Sequence, residues 1–276
     1  MSDRADHAPR HSYDMDHLDA AAELERLKAQ VDLVRGRERD YLRTLGVADD
    51  ATVLDLGCGP GFLSEVLGEL VPRGKVWGAD VDPALLTRAR DAFARRGWTH
   101  GTFVEAWADR LPLEDRSVDL AYSRFLFQHL AKPEAVVTEL RRVLRPGGRV
   151  VLVDTDDASL VVHPEPEGFR ALLDASNAAQ RRVGGDRFVG RKLRGYLVRA
   201  GFVDVGVRVE PFTSEMVGMA AFLDIAVGYK RQIITEDLLA ASAVAEVIAR
   251  LGALASDAGA FGQTLGYVAS ARAPAA

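Results

Sequence analysis

The chain has 276 residues, 48% of them hydrophobic and 27% charged, a balance that suits a soluble globular protein near the upper size for one hydrophobic core. Its net charge of −5 repels a phosphate backbone and argues against DNA or RNA as the main partner. A single cysteine, Cys58, excludes an internal disulfide, and no apolar run reaches the ~18 to 20 residues that span a bilayer, so a cytoplasmic protein without a membrane partner is expected.

Residues 1–11 are polar and charged and read as a disordered tail. Over 12–46 the apolar positions Leu18, Leu24, Leu27, Val31, Val34, Tyr41, Leu42 and Leu45 recur mostly at helical spacings, predicting an N-terminal helical cap of two helices broken near Gly36. Next, Thr52–Leu56 is a short apolar run that ends in glycines. A helix-like stretch Phe62–Leu70 and a second run Lys75–Asp80 follow, which together make a βαβ unit.

Strands over 102–106, 118–123 and 149–154 then alternate with helices over 83–96 and 133–144. Later come helices over 168–182 and 187–200, a strand over 203–209, a mainly helical stretch 212–258 and a last strand over 265–271. This order predicts an α/β protein with a Rossmann-like, doubly wound, mostly parallel seven-stranded sheet. With no repeat or low-complexity linker, residues 47–276 are expected to form one domain with helical insertions at about 158–200 and 213–260.

Ligands of an open parallel sheet bind outside the carboxyl ends of its strands. The first such loop, Asp55-Leu-Gly-Cys-Gly-Pro-Gly61, has three glycines that let the backbone turn sharply and approach a bound molecule. A dinucleotide site reads G-x-G-x-x-G, whereas here the third glycine comes one position early and Phe62 stands in its place. Asp55 puts a negative charge where a pyrophosphate would lie and suits an ammonium group instead. Asp80 ends the second strand-like run, where a carboxylate accepts hydrogen bonds from ribose hydroxyls. Asp82, followed by Pro83, is the better candidate to cap the next helix.

Val53-Leu-Asp-Leu-Gly-Cys-Gly-Pro-Gly61, Gly78-Ala-Asp80, Leu111-Pro112 with Ser117-Val-Asp-Leu120, and Leu140-Arg-Arg-Val-Leu-Arg-Pro-Gly-Gly148 together resemble the class I S-adenosylmethionine-dependent methyltransferases of the small-molecule type. The resemblance covers about residues 40–155. It implies that Gly57 and Gly59 pack beneath the methionine portion of the cofactor, Asp55 faces its amino group, Asp80 holds the ribose and Val81 packs on the adenine. Where the family commonly has Asp-Ala ahead of Leu-Pro, this chain has Trp107-Ala108. An indole offers no acceptor, so adenine recognition falls to the Ala108 backbone, to Trp107 stacking or to Asp109.

The family places methyl transfer at the loop after the fourth strand, here Ser123-Arg-Phe-Leu-Phe-Gln-His129. His129, with an ordinary pKa near ~6.5, is the candidate general base or else a residue that orders the loop. Arg124 and Gln128 bind the cofactor carboxylate or stabilise the loop. Asp154, Asp156 and Asp157 supply too few oxygen ligands in one loop for a metal and read as a solvated or helix-capping turn, so no metal is expected. Tyr13, Arg26 and Gln30 are placed to reach the cofactor from the cap. Met216, Met219, Phe222 and Tyr229 either line an apolar acceptor pocket or belong to ordinary core.

The expected reaction is methylation of a small molecule, oxygen favoured over nitrogen or carbon, in specialised metabolism. Two readings stand beside it: the same fold catalysing a cyclisation or rearrangement without transfer, and an NAD-dependent dehydrogenase, which the glycine spacing and Asp55 disfavour. The acceptor is the expected partner, and the sequence leaves oligomeric state open, a homodimer included.

Overall fold

The computed structural model describes residues 20–275, with side chains from Leu24 onward. The tail over 1–11 and Tyr13 lie outside the described residues. In chain order the elements are α1 (Ala20–Thr44), β1 (Thr52–Leu56), α2 (Phe62–Leu70), β2 (Lys75–Asp80), α3 (Pro83–Arg95), β3 (Gly101–Glu105), β4 (Val118–Arg124), α4 (Pro133–Val143) and β5 (Leu144–Thr155). Then follow β6 (Val161–His163), α5 (Phe169–Arg182), α6 (Leu193–Arg199), β7 (Val203–Thr213), α7 (Ser214–Val217), α8 (Met219–Gln232), α9 (Ala241–Ala253) and β8 (Phe261–Arg272).

One sheet runs β3-β2-β1-β4-β5-β8, with β7 pairing the outer side of β8. The strands from β3 to β5 are parallel, and β8 runs antiparallel between β5 and β7. The seven expected strands are present. An eighth, the three-residue β6, pairs the start of β8 from the β5 side, a bridge too short to leave a period in the sequence.

Parallel strands bury both faces, and β1 shows the division. Leu54 and Leu56 face a cluster with Leu140, Leu144 and Leu197, while Val53 packs in a second cluster with Leu42, Leu67, Leu86 and Phe93. A third cluster, built from α5, α8 and α9 around Leu172, Phe222 and Leu251, is separate from both.

Two expected elements differ. α1 runs unbroken through Gly36, which is exposed and meets no neighbour. One exposed helical glycine costs about 1 kcal/mol, and the packed residues on either side of it offset that cost. Arg35 pairs with Glu65 and Glu69 of α2 at 3.2 and 3.4 Å, and the buried Glu38 accepts hydrogen bonds from Tyr122 and Arg124 of β4. The helix expected over 187–200 starts late, with a 3₁₀ turn at Gly190–Lys192 ahead of α6, because Arg187 is drawn inward to Asp157 at 3.2 Å.

Gly61 caps α2 in the left-handed region, at φ 83°. A Cβ there would come within 2.7 Å of the Ala89 Cβ and 2.9 Å of its Cα on α3. Left-handed backbone strain and overpacking each cost a side chain a kcal/mol or more. Gly61→Ala should therefore lower unfolding free energy by about 2–4 kcal/mol in denaturant titration, with an unchanged denaturant slope.

Candidate functional site

The parallel strands point their carboxyl ends at a cavity of about 890 Å³, lined from the β1, β2 and β3 loops, from the loop after β4, and from α1 and α8. Its volume falls near the upper end of the ~300–1,000 Å³ of small-molecule pockets, leaving room for two ligands side by side.

At one end the turn after β1 is held by Gly57 and Cys58, whose N–H groups both donate to the Ala79 carbonyl at 2.8 and 3.1 Å. Gly57 and Gly59 take positive φ, 72° and 51°. A Cβ on Gly59 would meet nothing within 4 Å, so its face opens into the cavity rather than onto packed protein. The Gly59 N–H donates to Asp80 Oδ2 at 2.8 Å, and Asp80 Oδ1 accepts from the Asp82 N–H at 3.0 Å. The Asp80 carboxylate is thus fixed in orientation, and each oxygen keeps a second lone pair. Asp82 caps α3 through the N–H groups of Ala84 and Leu85.

Asp55 is buried beneath the same turn, accepting from the Ser64 hydroxyl at 2.6 Å. Burial pushes its carboxyl up to about 7 against that hydrogen bond, with Asp80 adding repulsion. Burial also raises Asp80 above the ordinary carboxylate value. Two buried carboxyl groups with raised pKa values favour a ligand that brings a positive charge and hydroxyl donors. Val81, Trp107, Ala108 and Asp109 line the cavity beside them.

The loop after β4 stands at the middle of the cavity. Phe125 has φ 55°, a strained value for a bulky residue, and its N–H donates to the Val153 carbonyl at 2.8 Å. Gln128 is held on four sides. Its N–H donates to Asp154 at 3.0 Å and its Oε1 accepts from Arg187 at 2.7 Å; its carbonyl accepts from the Asp186 N–H at 2.8 Å and from the Gln180 amide at 3.0 Å. Gln180 Nε2 also lies 3.2 Å from His129 Nδ1, and the His129 ring meets Tyr229 edge-on.

The sequence-predicted residues Asp55, Gly57, Gly59, Asp80, Val81, Trp107, Ala108, Arg124, Gln128 and His129 all line this one cavity, as do Arg26 and Gln30 of α1. Arg124 is engaged by Glu38 and lies over the Phe125 ring. Of the four apolar candidates, Tyr229 lines the cavity, Phe222 is core, Met219 packs against that core and Met216 is exposed. The acidic turn is not solvated. Asp154 and Asp156 are fully buried, Asp156 caps a 3₁₀ turn and pairs with Arg191, and Asp157 sits between Arg187 at 3.2 Å and Lys230 at 3.1 Å.

Lys230, Arg187 and Gln180 were not legible as site residues. Arg187 follows the Gly184-Gly185 break and Lys230 ends a helix in a Tyr-Lys-Arg run, features that any solvated face shares.

Residues 54–152 match the methyltransferase domain family. An uncharacterized methyltransferase of Schizosaccharomyces pombe is 32% identical over 157 residues, 55% of this chain and 56% of its own. A trans-aconitate 2-methyltransferase of an Azoarcus species is 38% identical over 110 residues, 40% of this chain and 41% of its own. The chain spans about half the length of the curated relatives it matches. Among solved structures, the YcgJ protein of Bacillus subtilis has the same fold, with a TM-score of 0.60 at 16% identity over 86% of this chain and 97% of that one. Among the described residues no helix is long and apolar enough to cross a membrane.

The cofactor of such a domain is S-adenosylmethionine, and the open Gly59 face together with the two carboxyl groups fits its ammonium and ribose. A ligand ammonium set against Asp55 would favour its ionised form, so affinity should then be full above pH about 7 and fall as the pH drops below it. Calorimetry with S-adenosylhomocysteine should show the dissociation constant rising toward tenfold per pH unit between about pH 6.5 and 5.5. Asp55→Asn should bind weakly and lose that slope.

Proposed function

We propose that this chain, a member of the class I S-adenosylmethionine-dependent methyltransferases through residues 54–152, methylates a small molecule that occupies the half of the cavity beyond the β4 loop. The observation that carries the reading is the continuity of one cavity from Gly59 and Asp80 past the strained Phe125 to Tyr229 and Lys230. Asp80 ends β2 and Asp157 follows β5, three strand spacings of ~4.8 Å along the sheet, about 14 Å. That span accommodates a nucleoside at one end and an acceptor at the other.

When bound, the cofactor would supply an electrophilic methyl group on a positively charged sulfur that can leave with the bonding electron pair. The chain aligns the two partners and excludes water, the main contributions such a transfer requires. In this reading Asp55 and Asp80 anchor the cofactor, Gly57 and Gly59 give it room, Val81, Trp107 and Ala108 flank the adenine, and Arg124 with Glu38 ties α1 over it. Oxygen remains the favoured acceptor atom, and specialised metabolism the favoured setting. The trans-aconitate methyltransferase among the relatives supports a small acceptor.

The surroundings of His129 favour a donor over a general base. Gln180 Nε2 faces the Gln128 carbonyl, so the same amide nitrogen donates to His129 Nδ1, and the neutral ring then carries its proton on Nε2. Protonating Nδ1 would set it against that amide donor. His129 would therefore hold an acceptor oxygen through Nε2–H, and the nucleophile would arrive already ionised or lose its proton to solvent.

Transfer of labelled methyl from S-adenosylmethionine into a low-molecular-weight product, with stoichiometric S-adenosylhomocysteine, tests the reaction. A labelled cofactor that binds but is never consumed across an acceptor panel would favour the non-transfer alternative. For His129, a donor role predicts that His129→Gln keeps kcat within about tenfold while His129→Ala loses ~10². Equal losses of ~10² to 10⁴ in both would restore the base.

A further inference from the structure

Beyond the β4 loop the cavity wall is charged. Lys230 of α8 and Arg187, ahead of α6, are both buried side chains that line it. They share one carboxylate: Asp157 accepts from Arg187 Nε at 3.2 Å on Oδ2 and pairs with Lys230 Nζ at 3.1 Å on Oδ1. Asp156, the next carboxyl along the chain, is taken by Arg191, and Asp154 accepts from the N–H groups of Gln128 and Thr155 while also facing the Arg187 charge. Of the other carboxylates lining the cavity, Glu210 pairs with Arg208, Asp82 caps α3, and Asp55, Asp80 and Asp109 lie at the cofactor end.

Two cations against the Asp157 carboxylate and against Asp154, whose carboxyl burial pushes up to about 7, leave an excess positive charge in a buried wall. Among the described residues Lys230 has Asp157 as its one ion-pair partner, and Arg187 uses Nε and Nη1 but not Nη2. An uncompensated buried charge is expensive. Burial and the neighbouring Arg187 pull the Lys230 ammonium down to about 8, while the same two cations hold Asp157 below the ordinary carboxylate range despite its burial. Arg187 also holds the Gln128 side chain through Nη1, whereas Lys230 has no such second task and Arg187 Nη2 is left over, so a cation and a guanidinium N–H remain for a ligand. Tyr229 adds an aromatic wall, with the Arg187 guanidinium 5.5 Å from its ring centre.

We infer that the acceptor carries a carboxylate group, which docks against Lys230 Nζ and Arg187 Nη2 with its apolar body along Tyr229. The inference rests on the methyl-transfer reading for which molecule occupies the pocket. The docked group is a handle that balances the wall and sets the distance between the acceptor and the β4 loop. Charge-assisted hydrogen bonds of this kind supply orientation as well as affinity.

The test uses the full chain saturated with S-adenosylhomocysteine at pH 7.5, titrated with benzoate, cinnamate and decanoate and with the primary amide of each. At least one acid should bind tenfold or more tightly than its amide. In Lys230→Met that preference should fall below threefold, and Lys230→Arg should restore it. The affinity of each variant for S-adenosylhomocysteine reports whether it has folded, and the wild-type comparison stands without any variant. Acids and amides binding alike, no acid binding at all, or a preference that survives Lys230→Met overturns the inference. Failure of S-adenosylhomocysteine itself to bind would instead overturn the methyltransferase reading.

Discussion

The arrangement depends on how a five-residue loop without a strand ladder of its own is held in the middle of a cavity. Residues 125–129 begin with a left-handed Phe125 and end in a single 3₁₀ turn. Their polar groups are met by side chains from three other segments: Asp154 from β5, Gln180 from α5 and Arg187 from the turn after it. Buried polar groups are costly unless paired, so this network has few alternatives, and the loop keeps one position. Ser123 adds a tie to the cofactor side, donating to the Leu56 carbonyl at 3.0 Å.

That fixed loop separates two ends of opposite electrical character. The turn after β1 and the end of β2 present carboxyl groups, while the end near β5 presents cations. A cofactor with an ammonium and a sulfonium suits the first and an acidic molecule suits the second, and the attraction between ligands of opposite sign runs across the loop where transfer would occur. α1 covers both ends, fastened by Glu38 to β4 and by Arg35 to α2, and it brings Arg26 to within 6.0 Å of the Tyr229 ring centre.

The parallel half of the sheet was readable because each of its strands is a short apolar run closed by a turn signal, and because glycines at 57, 59 and 61 mark one backbone geometry. Asp55 and Asp80 were readable for the same reason: their distance from those glycines follows from strand length. The acceptor end was not. Asp157, Arg187, Gln180 and Lys230 lie in four separate segments brought together by packing of α5 and α8 over the strand ends, and no spacing in the chain encodes such a meeting. Gly36 misled in the opposite direction, since local propensity favoured a break that the Arg35 and Glu38 ion pairs override. The short β6 and the extension of β8 likewise arise from pairing, not from local pattern.

The most direct measurement is the structure of the chain crystallised with S-adenosylhomocysteine, read for the position of the sulfur. The account predicts ribose hydroxyls on Asp80, the amino group on Asp55 and the sulfur facing the open space between the 125–129 loop and Tyr229. A nucleoside bound at the Lys230 and Arg187 end, or a sulfur turned away from that space, would contradict it.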